Sequence, residues 1–236
     1  MRKISFLLAA LMMLSLVLTA CGNDAPPSGK LDEIPQSIAT EAPATEPPAT
    51  EKPVTVGRME GGVYTNTYAG FGVKLDSNWS FLTAEELQEM PENLDEALAQ
   101  IDGASSIPQI MDMQAENMTD FTSMNVLYQE LNMQQRLVFA ALSEEDVVDE
   151  TLKTQDQIID AYAVTGIAVE KMEKVSVTFL GEEHWAVKTT ATFEGVPYYI
   201  LQIMDYSLGR YSVTLTVGSF LEDNTESLLD LFYPVE

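Results

Sequence analysis

His184 is the only histidine among 236 residues, so it limits the acid–base chemistry that this chain can perform. A Ser-His-Asp triad, a general base of ordinary pKa and a histidine-bearing metal site would each require it. The alternating strand pattern places Trp185 and Val187 inward. His184 then faces outward with Ala186 and Lys188, which predicts a solvated histidine. Because GxSxG, HExxH and CxxC motifs and a phosphate-binding glycine loop are also missing, we predict no enzyme, no catalytic residue and no cofactor.

Carboxylates are abundant, with 37 Asp and Glu residues in the chain. A close pair of them can serve glycoside hydrolysis, although some pairs will approach by chance in so acidic a chain. One cluster is a candidate Ca²⁺ site: Glu144, Glu145, Asp146, Asp149 and Glu150. Consecutive helical positions point around the axis, and no DxDxDG loop is present. We therefore interpret these acids as the first turns of a helix, where they complement its positive end.

Methionines suggest a second metal hypothesis. Met111 and Met113 are two residues apart and are predicted to share one face of a strand, with Met118, Met124 and Met133 nearby in sequence. Thioether clusters can bind Cu(I). Methionine is also a common filler of irregular cores. We interpret the group as core, and Met111 and Met113 remain the candidate ligands of the metal-binding alternative.

Cys21 is the only cysteine, and it follows an apolar run. Residues 1–20 open with Arg2 and Lys3, continue through apolar residues and end in small ones, which is typical of a secretory signal peptide. The segment Leu18-Thr19-Ala20-Cys21 resembles the lipobox of bacterial lipoproteins. That resemblance implies cleavage before Cys21, a diacylglyceryl group on its sulfur, further acylation by a fatty acid such as palmitate, and a protein anchored on the extracytoplasmic side of the cell membrane.

Residues 21–57 are predicted to be a disordered tether. They contain ATExP repeats at 39–43, 44–48 and 49–53, and their prolines remove backbone donors and disfavour helix. Too few apolar residues remain to form a core. The 36 residues after Cys21 reach about 110 Å if polyproline-like and about 33 Å as a flexible coil.

The charge of the chain disfavours nucleic acids as partners. The formal net charge is −25, and residues 58–236 carry 31 acidic against eight basic side chains. Such a surface repels phosphate backbones and anionic headgroups, so nucleic-acid binding is disfavoured and the predicted membrane contact is through the lipid alone.

Residues 58–236 are predicted to form a single acidic α+β domain with an antiparallel sheet flanked by helices. The pattern predicts two strands in 63–75 closed by Trp79, a helix starting at Thr83, and two strands around 111–114 and 124–129. One helix then runs from Ser143 to Tyr162. Four strands follow, with turns at Gly181, Glu194-Gly195 and Gly209 and a central strand at 198–204, and Asn224 caps a last helix that Pro234 stops.

The order of several features resembles that of PsbP-like lipoproteins. These are the segment Tyr68-Ala-Gly-Phe71-Gly72-Val73-Lys74-Leu75 followed by Trp79, a long helix, hairpins around Leu180-Gly181, and Ser219-Phe220 before a last helix. The resemblance covers roughly residues 62–236. It implies a PsbP-like α/β/α sandwich and a non-catalytic binding or assembly module. It supplies no site residue.

Three functional hypotheses follow. The first is a membrane-anchored, non-catalytic envelope module that binds another protein. The second is a solute- or metal-binding lipoprotein, and the third an envelope hydrolase. A deep pocket with convergent polar groups favours the second or third, and an exposed apolar patch favours the first.

Overall fold

The computed structural model describes residues 57–87, 109–205 and 209–235. The signal peptide, Cys21 and the tether up to residue 56 lie outside these ranges, so the predictions made for them stay predictions. Thr83 starts a helical turn at 84–87 as predicted, and it exchanges backbone-to-side-chain hydrogen bonds with Glu86. The predicted continuation of that helix, with the kink at Pro91, also lies outside the described residues. No described helix is long and apolar enough to cross a membrane.

Eleven strands and four helices are described. The strands are β1 (Arg58–Glu60), β2 (Val63–Asn66), β3 (Phe71–Lys74), β4 (Trp79–Phe81), β5 (Gln109–Asn117), β6 (Thr122–Glu130), β7 (Ile167–Phe179), β8 (Glu182–Phe193), β9 (Val196–Asp205), β10 (Tyr211–Phe220) and β11 (Phe232–Pro234). The helices are α1 (Met133–Phe139), α2 (Glu144–Lys153), α3 (Gln155–Val164) and α4 (Thr225–Leu229).

The strands form two antiparallel sheets. The large sheet has the order β4-β5-β6-β10-β9-β8-β7, and the small sheet has the order β1-β2-β3-β11. The four predicted hairpin strands are confirmed as β7 to β10. Their first two turns need backbone with positive φ, which Leu180 (φ 53°) and Gly181 (φ 88°), then Glu194 (φ 50°) and Gly195 (φ 82°), supply. Strand β9 lies between β10 and β8, so the prediction of a central strand is confirmed.

The large sheet is covered on both faces. One face packs on α3 and part of α2, through residues such as Val148, Ile158 and Tyr162. The other face packs on the small sheet and α4, where Phe71 and Leu228 are among the buried residues. The broad α+β antiparallel architecture is therefore confirmed, but a second sheet covers the face where the sandwich prediction placed helices.

Several local predictions are wrong. Trp79 begins β4 in the large sheet and does not close the first hairpin. The helix predicted from Ser143 to Tyr162 is two helices, and it breaks at Thr154, whose hydroxyl donates to the Thr151 carbonyl at 2.9 Å. Strands β1 and β4 and helix α1 were not predicted at all.

The predicted C-terminal helix begins directly after Asn224, as expected, but its cap and its end differ from the prediction. Asn224 makes no side-chain cap, and α4 ends at Leu229. The chain then joins the small sheet as β11, because Phe232 packs edge-on against the rings of Phe71 (5.7 Å between centroids) and Phe179 (5.6 Å). Aromatic burial between the sheets overrides the helical spacing of this segment.

Candidate functional site

The candidate site is a groove of about 1170 Å³ at the end of the large sheet where β7 meets β8 and β9 meets β10. Helix α1 forms one wall, and the adjoining end of the small sheet contributes another. The apolar residues that the sheets contribute are Phe71, Phe179, Ile203, Met204, Val213, Leu215 and Pro234. A concave, mainly apolar surface of this size is typical of ligand and peptide sites. We call it the α1 groove.

Helix α1 is short but has a defined start and an anchor. The Asn132 side chain accepts a hydrogen bond from the Gln135 amide, and the Gln135 side chain accepts one from the Asn132 amide, both at 2.9 Å. This reciprocal capping satisfies two amides at the helix start. At the other end Phe139 is buried against Leu131 and Val147. The helix is therefore held at both ends over the end of the sheet.

Between those ends, α1 exposes large apolar side chains. Met133 is 78% exposed, Leu137 is 71% exposed and Val138 is 50% exposed. Met133 and Leu137 line the groove, as the four-residue spacing that places them on one helix face requires. Adjacent exposed apolar side chains at the mouth of an apolar groove are the usual mark of an interaction surface.

His184 lies in this groove and is not the solvated residue that the strand pattern predicted. Its Nδ1 lies 2.9 Å from Glu144 Oε1, and the second oxygen of Glu144 accepts the Trp185 amide at 3.2 Å. The imidazole also packs edge-on against Phe179, with 5.8 Å between ring centroids. Only 27% of the His184 side chain is exposed. The predicted alternation is confirmed, with Trp185 and Val187 on one face and Ala186 on the other, but the prediction of a solvated face is wrong because both faces of β8 are covered and Ala186 is fully buried.

Lys188 corrects the same prediction. Its ammonium lies 2.7 Å from an Asp223 oxygen and 3.3 Å from a Glu226 oxygen, so the side chain bridges β8 to the start of α4. Although burial acts to lower it, the pKa of Lys188 is raised, because hydrogen bonds to Asp223 and Glu226 favour the charged form.

The groove lining includes five charged or titratable side chains. They are Arg136, Glu144, Glu182, His184 and Asp205. Three carboxylates thus accompany one guanidinium and one imidazole. No Ser, Thr, Cys, Lys or Tyr is among the described residues that line the groove, so the lining offers no hydroxyl, thiol or amine nucleophile.

The acids of the candidate calcium cluster are dispersed around α2. Glu145 and Asp149 contact the Lys174 ammonium at 2.9 and 2.7 Å, and Glu150 pairs with Lys153. The hydrogen bonds that the Lys174 ammonium donates to Asp149 and then to Glu145 raise its pKa. Their prediction as helix-start acids is confirmed by Ser143 and Asp146, which form a capping box. Hydrogen bonds from Ser143 lower the pKa of Asp146. The described residues contain no group of three or more His, Cys, Asp or Glu placed to hold a metal.

The predicted methionine cluster does not form. A β-bulge interrupts β5 between Met111 and Met113, and the two side chains lie on opposite faces of the sheet. An extra residue in a strand reverses the alternation, which the sequence pattern alone could not show. Both are buried in core, while Met118 and Met133 are exposed.

The bulge residue, Asp112, forms a buried network that sequence reasoning missed. Its Oδ2 accepts from the Tyr64 hydroxyl and the Asn66 amide nitrogen, both at 2.5 Å, and its Oδ1 accepts from the Gly57 amide at 2.7 Å. The Asn66 nitrogen also lies 2.7 Å from the Tyr128 hydroxyl. The network joins the small sheet to β5 and β6 at the point where the described chain begins.

Burial controls the protonation of this network. It raises the pKa of Asp112, although hydrogen bonds from Tyr64, Gly57 and Asn66 lower it in part. Burial and the Asp112 charge raise the pKa of Tyr64, and the same two causes raise that of Tyr128. With its hydrogen bonds made and both tyrosines held neutral, the network is suited to linking the sheets.

No family model and no curated protein matches this sequence. One similar solved structure is the solution structure of cyanobacterial PsbP (CyanoP) from Synechocystis sp. PCC 6803. The match covers 73% of this chain and 91% of that chain, with 15% sequence identity and a TM-score of 0.41. At this identity and TM-score the likeness assigns neither a family nor a function to this chain.

Proposed function

We propose that this chain is a lipid-anchored, extracytoplasmic module that binds another protein in the α1 groove without catalysis. The observation that carries the proposal is the exposure of Met133 and Leu137 beside a groove whose walls are mainly apolar. Burying two such side chains against a partner stabilises a complex by about 1.5–3 kcal/mol each. An exposed apolar patch is the feature expected of the protein-binding hypothesis.

The charge specifies the chemistry of the partner. The groove carries Glu144, Glu182 and Asp205, and residues 58–236 carry far more acids than bases. We propose that the partner presents apolar side chains flanked by Lys or Arg, because complementary charge speeds encounter and excludes wrong partners. A second copy of this chain is disfavoured by the same charge.

Site-specific photocrosslinking in the native host tests the groove. A photoreactive phenylalanine analogue replaces Leu137 in one strain and Val164, which is also apolar and 42% exposed, in a control strain. We expect one discrete protein adduct from position 137 and none from position 164, and Met133→Ser is expected to reduce the adduct. Equal adducts at both positions, or an adduct of twice the mass of this chain, would overturn the proposal.

The anchor has its own test. If Cys21 carries the lipid, Cys21→Ser is expected to move the protein from the membrane fraction to the soluble extracytoplasmic fraction. Unchanged retention on the membrane would contradict the lipoprotein part of the proposal while leaving the groove experiment valid.

A second candidate function, the binding of an apolar solute, is favoured by the groove volume alone, which suits a small-molecule site. Native mass spectrometry of the full chain released gently from detergent distinguishes the two. A stoichiometric extra mass that Ile203→Ala removes supports a solute, whereas the bare chain mass supports the protein partner.

A further inference from the structure

A row of polar side chains crosses the face of the large sheet that is turned toward α2 and α3. Gln114 lies directly opposite Asn125, Asn125 opposite Thr216, and Thr216 opposite Gln202. All four residues are fully buried. They alternate along the strands with core residues of the other face, such as Met113. The sequence pattern treats such positions as solvent-facing, so burial of the whole row needs a physical reason.

One rung further along the β5–β6 hairpin, Glu116 lies opposite Ser123, and both are buried. Gln114, Glu116, Ser123 and Asn125 therefore occupy the four corners of a block on one face of two adjacent strands. Opposed side chains in an antiparallel pair have Cβ atoms about 5 Å apart, and next neighbours on one strand lie about 7 Å apart. Side chains of this length can bring their oxygens to a common point. We call these four residues the hairpin block.

Two members of the hairpin block have unmet hydrogen-bonding capacity. Neither the amide oxygen nor the amide nitrogen of Gln114 has a hydrogen-bond partner in the part of the chain that the structure describes, and the same holds for the Ser123 hydroxyl. Each buried polar group left in this condition costs about 1–3 kcal/mol. Native interiors rarely keep such groups unless a water or an ion satisfies them.

We propose that the hairpin block binds a hard cation. Two amide carbonyls, one hydroxyl and the Glu116 carboxylate are the oxygen ligands that such ions prefer, and a bound cation would give the Gln114 carbonyl and the Ser123 hydroxyl the partner that they lack among the described residues. The surrounding charge of the domain raises the local cation concentration. Because it has a single carboxylate, the block is expected to bind Ca²⁺ weakly, with a dissociation constant of about 1 mM. Extracellular calcium-binding modules have dissociation constants in this range.

The binding test uses the full chain purified in detergent, stripped with a chelator and transferred to choline chloride of constant ionic strength. Thermal unfolding is followed by circular dichroism while CaCl₂, MgCl₂, NaCl or KCl replaces choline. We expect Ca²⁺ to raise the midpoint by about 4 °C at saturation, with a half-maximal response near 1 mM. A larger response to Na⁺ or K⁺ identifies a monovalent ion and supports the same site. No response above choline to any cation overturns the proposal.

Matched variants separate the block from the acidic surface. Gln114→Met keeps the length of the side chain and removes its oxygen, and it is expected to abolish the response. Gln202→Met makes the same change two strands away in the same row and is expected to keep it. Ser123→Ala provides a second block variant if Gln114→Met does not fold. Equal cation responses in Gln114→Met and Gln202→Met would show surface binding and overturn the proposal. This result does not depend on the photocrosslinking experiment at position 137.

Discussion

The two faces of the large sheet both bury polar side chains, but they satisfy them differently. Toward the small sheet, Asp112, Asn66 and Tyr64 bond to one another at 2.5 to 3.0 Å. Toward the helices, the side-chain amide of Gln114 finds no hydrogen-bond partner among the described residues. A satisfied network adds rigidity and fixes how two sheets pack, whereas an unsatisfied amide lowers stability. The contrast supports our proposal that the first polar set holds the fold and that the hairpin block binds a cation.

The largest expected effect is on the satisfied face. Asn66→Ala removes bonds to Asp112 and Tyr128 and to two backbone amides, and we expect it to lower the free energy of unfolding by about 3 kcal/mol. Urea denaturation measures this change. The exposed Asn78, which bonds only locally to Asp76, is the matched control, and Asn78→Ala is expected to cost under about 0.5 kcal/mol. Equal losses in the two variants would show that the network contributes nothing.

The protonation of Asp112 gives a second, pH-dependent effect. Because its folded pKa is raised, the unfolded chain loses the proton first as pH rises from about 4, and the stability that Asp112 contributes falls until the folded pKa is passed. Asp112→Asn lacks this titration. It is destabilised at every pH because its new NH₂ group faces the hydrogen-bond donors of Tyr64, Asn66 and Gly57. We expect the stability gap between the parent and Asp112→Asn to narrow between pH 4 and pH 7. A gap that widens would show that Asp112 stays ionised through favourable hydrogen bonds.

On the unsatisfied face the expected change has the opposite sign. In chelated buffer without cations, Gln114→Met is expected to raise the free energy of unfolding by about 1 kcal/mol, because an unpaired buried amide is replaced by an apolar chain of similar length. Gln202→Met loses the bond from the Gln202 amide nitrogen to the Thr216 hydroxyl at 3.3 Å, but it also removes a buried amide oxygen that has no partner among the described residues. These effects oppose each other, so the free energy of unfolding is expected to change by under about 0.5 kcal/mol. Denaturation curves of the two variants decide this, and a loss of stability in Gln114→Met would contradict the claim that its unpaired amide destabilises the fold.

The smallest effect on stability is expected outside both faces, at the groove. Leu137→Ser removes an exposed side chain, so the free energy of unfolding is expected to change by under about 0.5 kcal/mol. Phe139→Ser, two residues on, removes the buried anchor of α1 and is expected to cost about 3 kcal/mol. Similar losses in both variants would mean that α1 is held by the residues that we assign to binding.

Much of the scaffold could be predicted from the sequence, and the reasons are local. The turns at Gly181 and Gly195 and the capping boxes at Thr83 and Ser143 each depend on residues a few positions apart. The site could not be predicted in the same way. The bulge at Asp112 is stabilised by Tyr64 and Asn66 from another sheet, and it reverses the face on which every earlier residue of β5 lies.

The groove could not be predicted either, because it is formed by residues that are far apart in the sequence. His184 was assigned to solvent because the strand pattern assumes one covered face, and only the fold brings Glu144 within 2.9 Å of it. Helix α1 has seven residues, too few for helical spacing to stand out, although the Asn132 and Gln135 pair that caps it was a signal that could have revealed its start. The exposure of Leu137 follows from where the helix lies, which spacing does not encode.

The central claim is that the α1 groove captures a partner with apolar residues flanked by basic ones. The most direct measurement is the sequence of the partner peptide attached to the photoreactive residue at position 137, read by tandem mass spectrometry after proteolysis. The account predicts a peptide whose apolar residues lie between Lys or Arg residues, as the acids at the groove require. An acidic peptide, a peptide of this chain, or a lipid adduct in its place would contradict it.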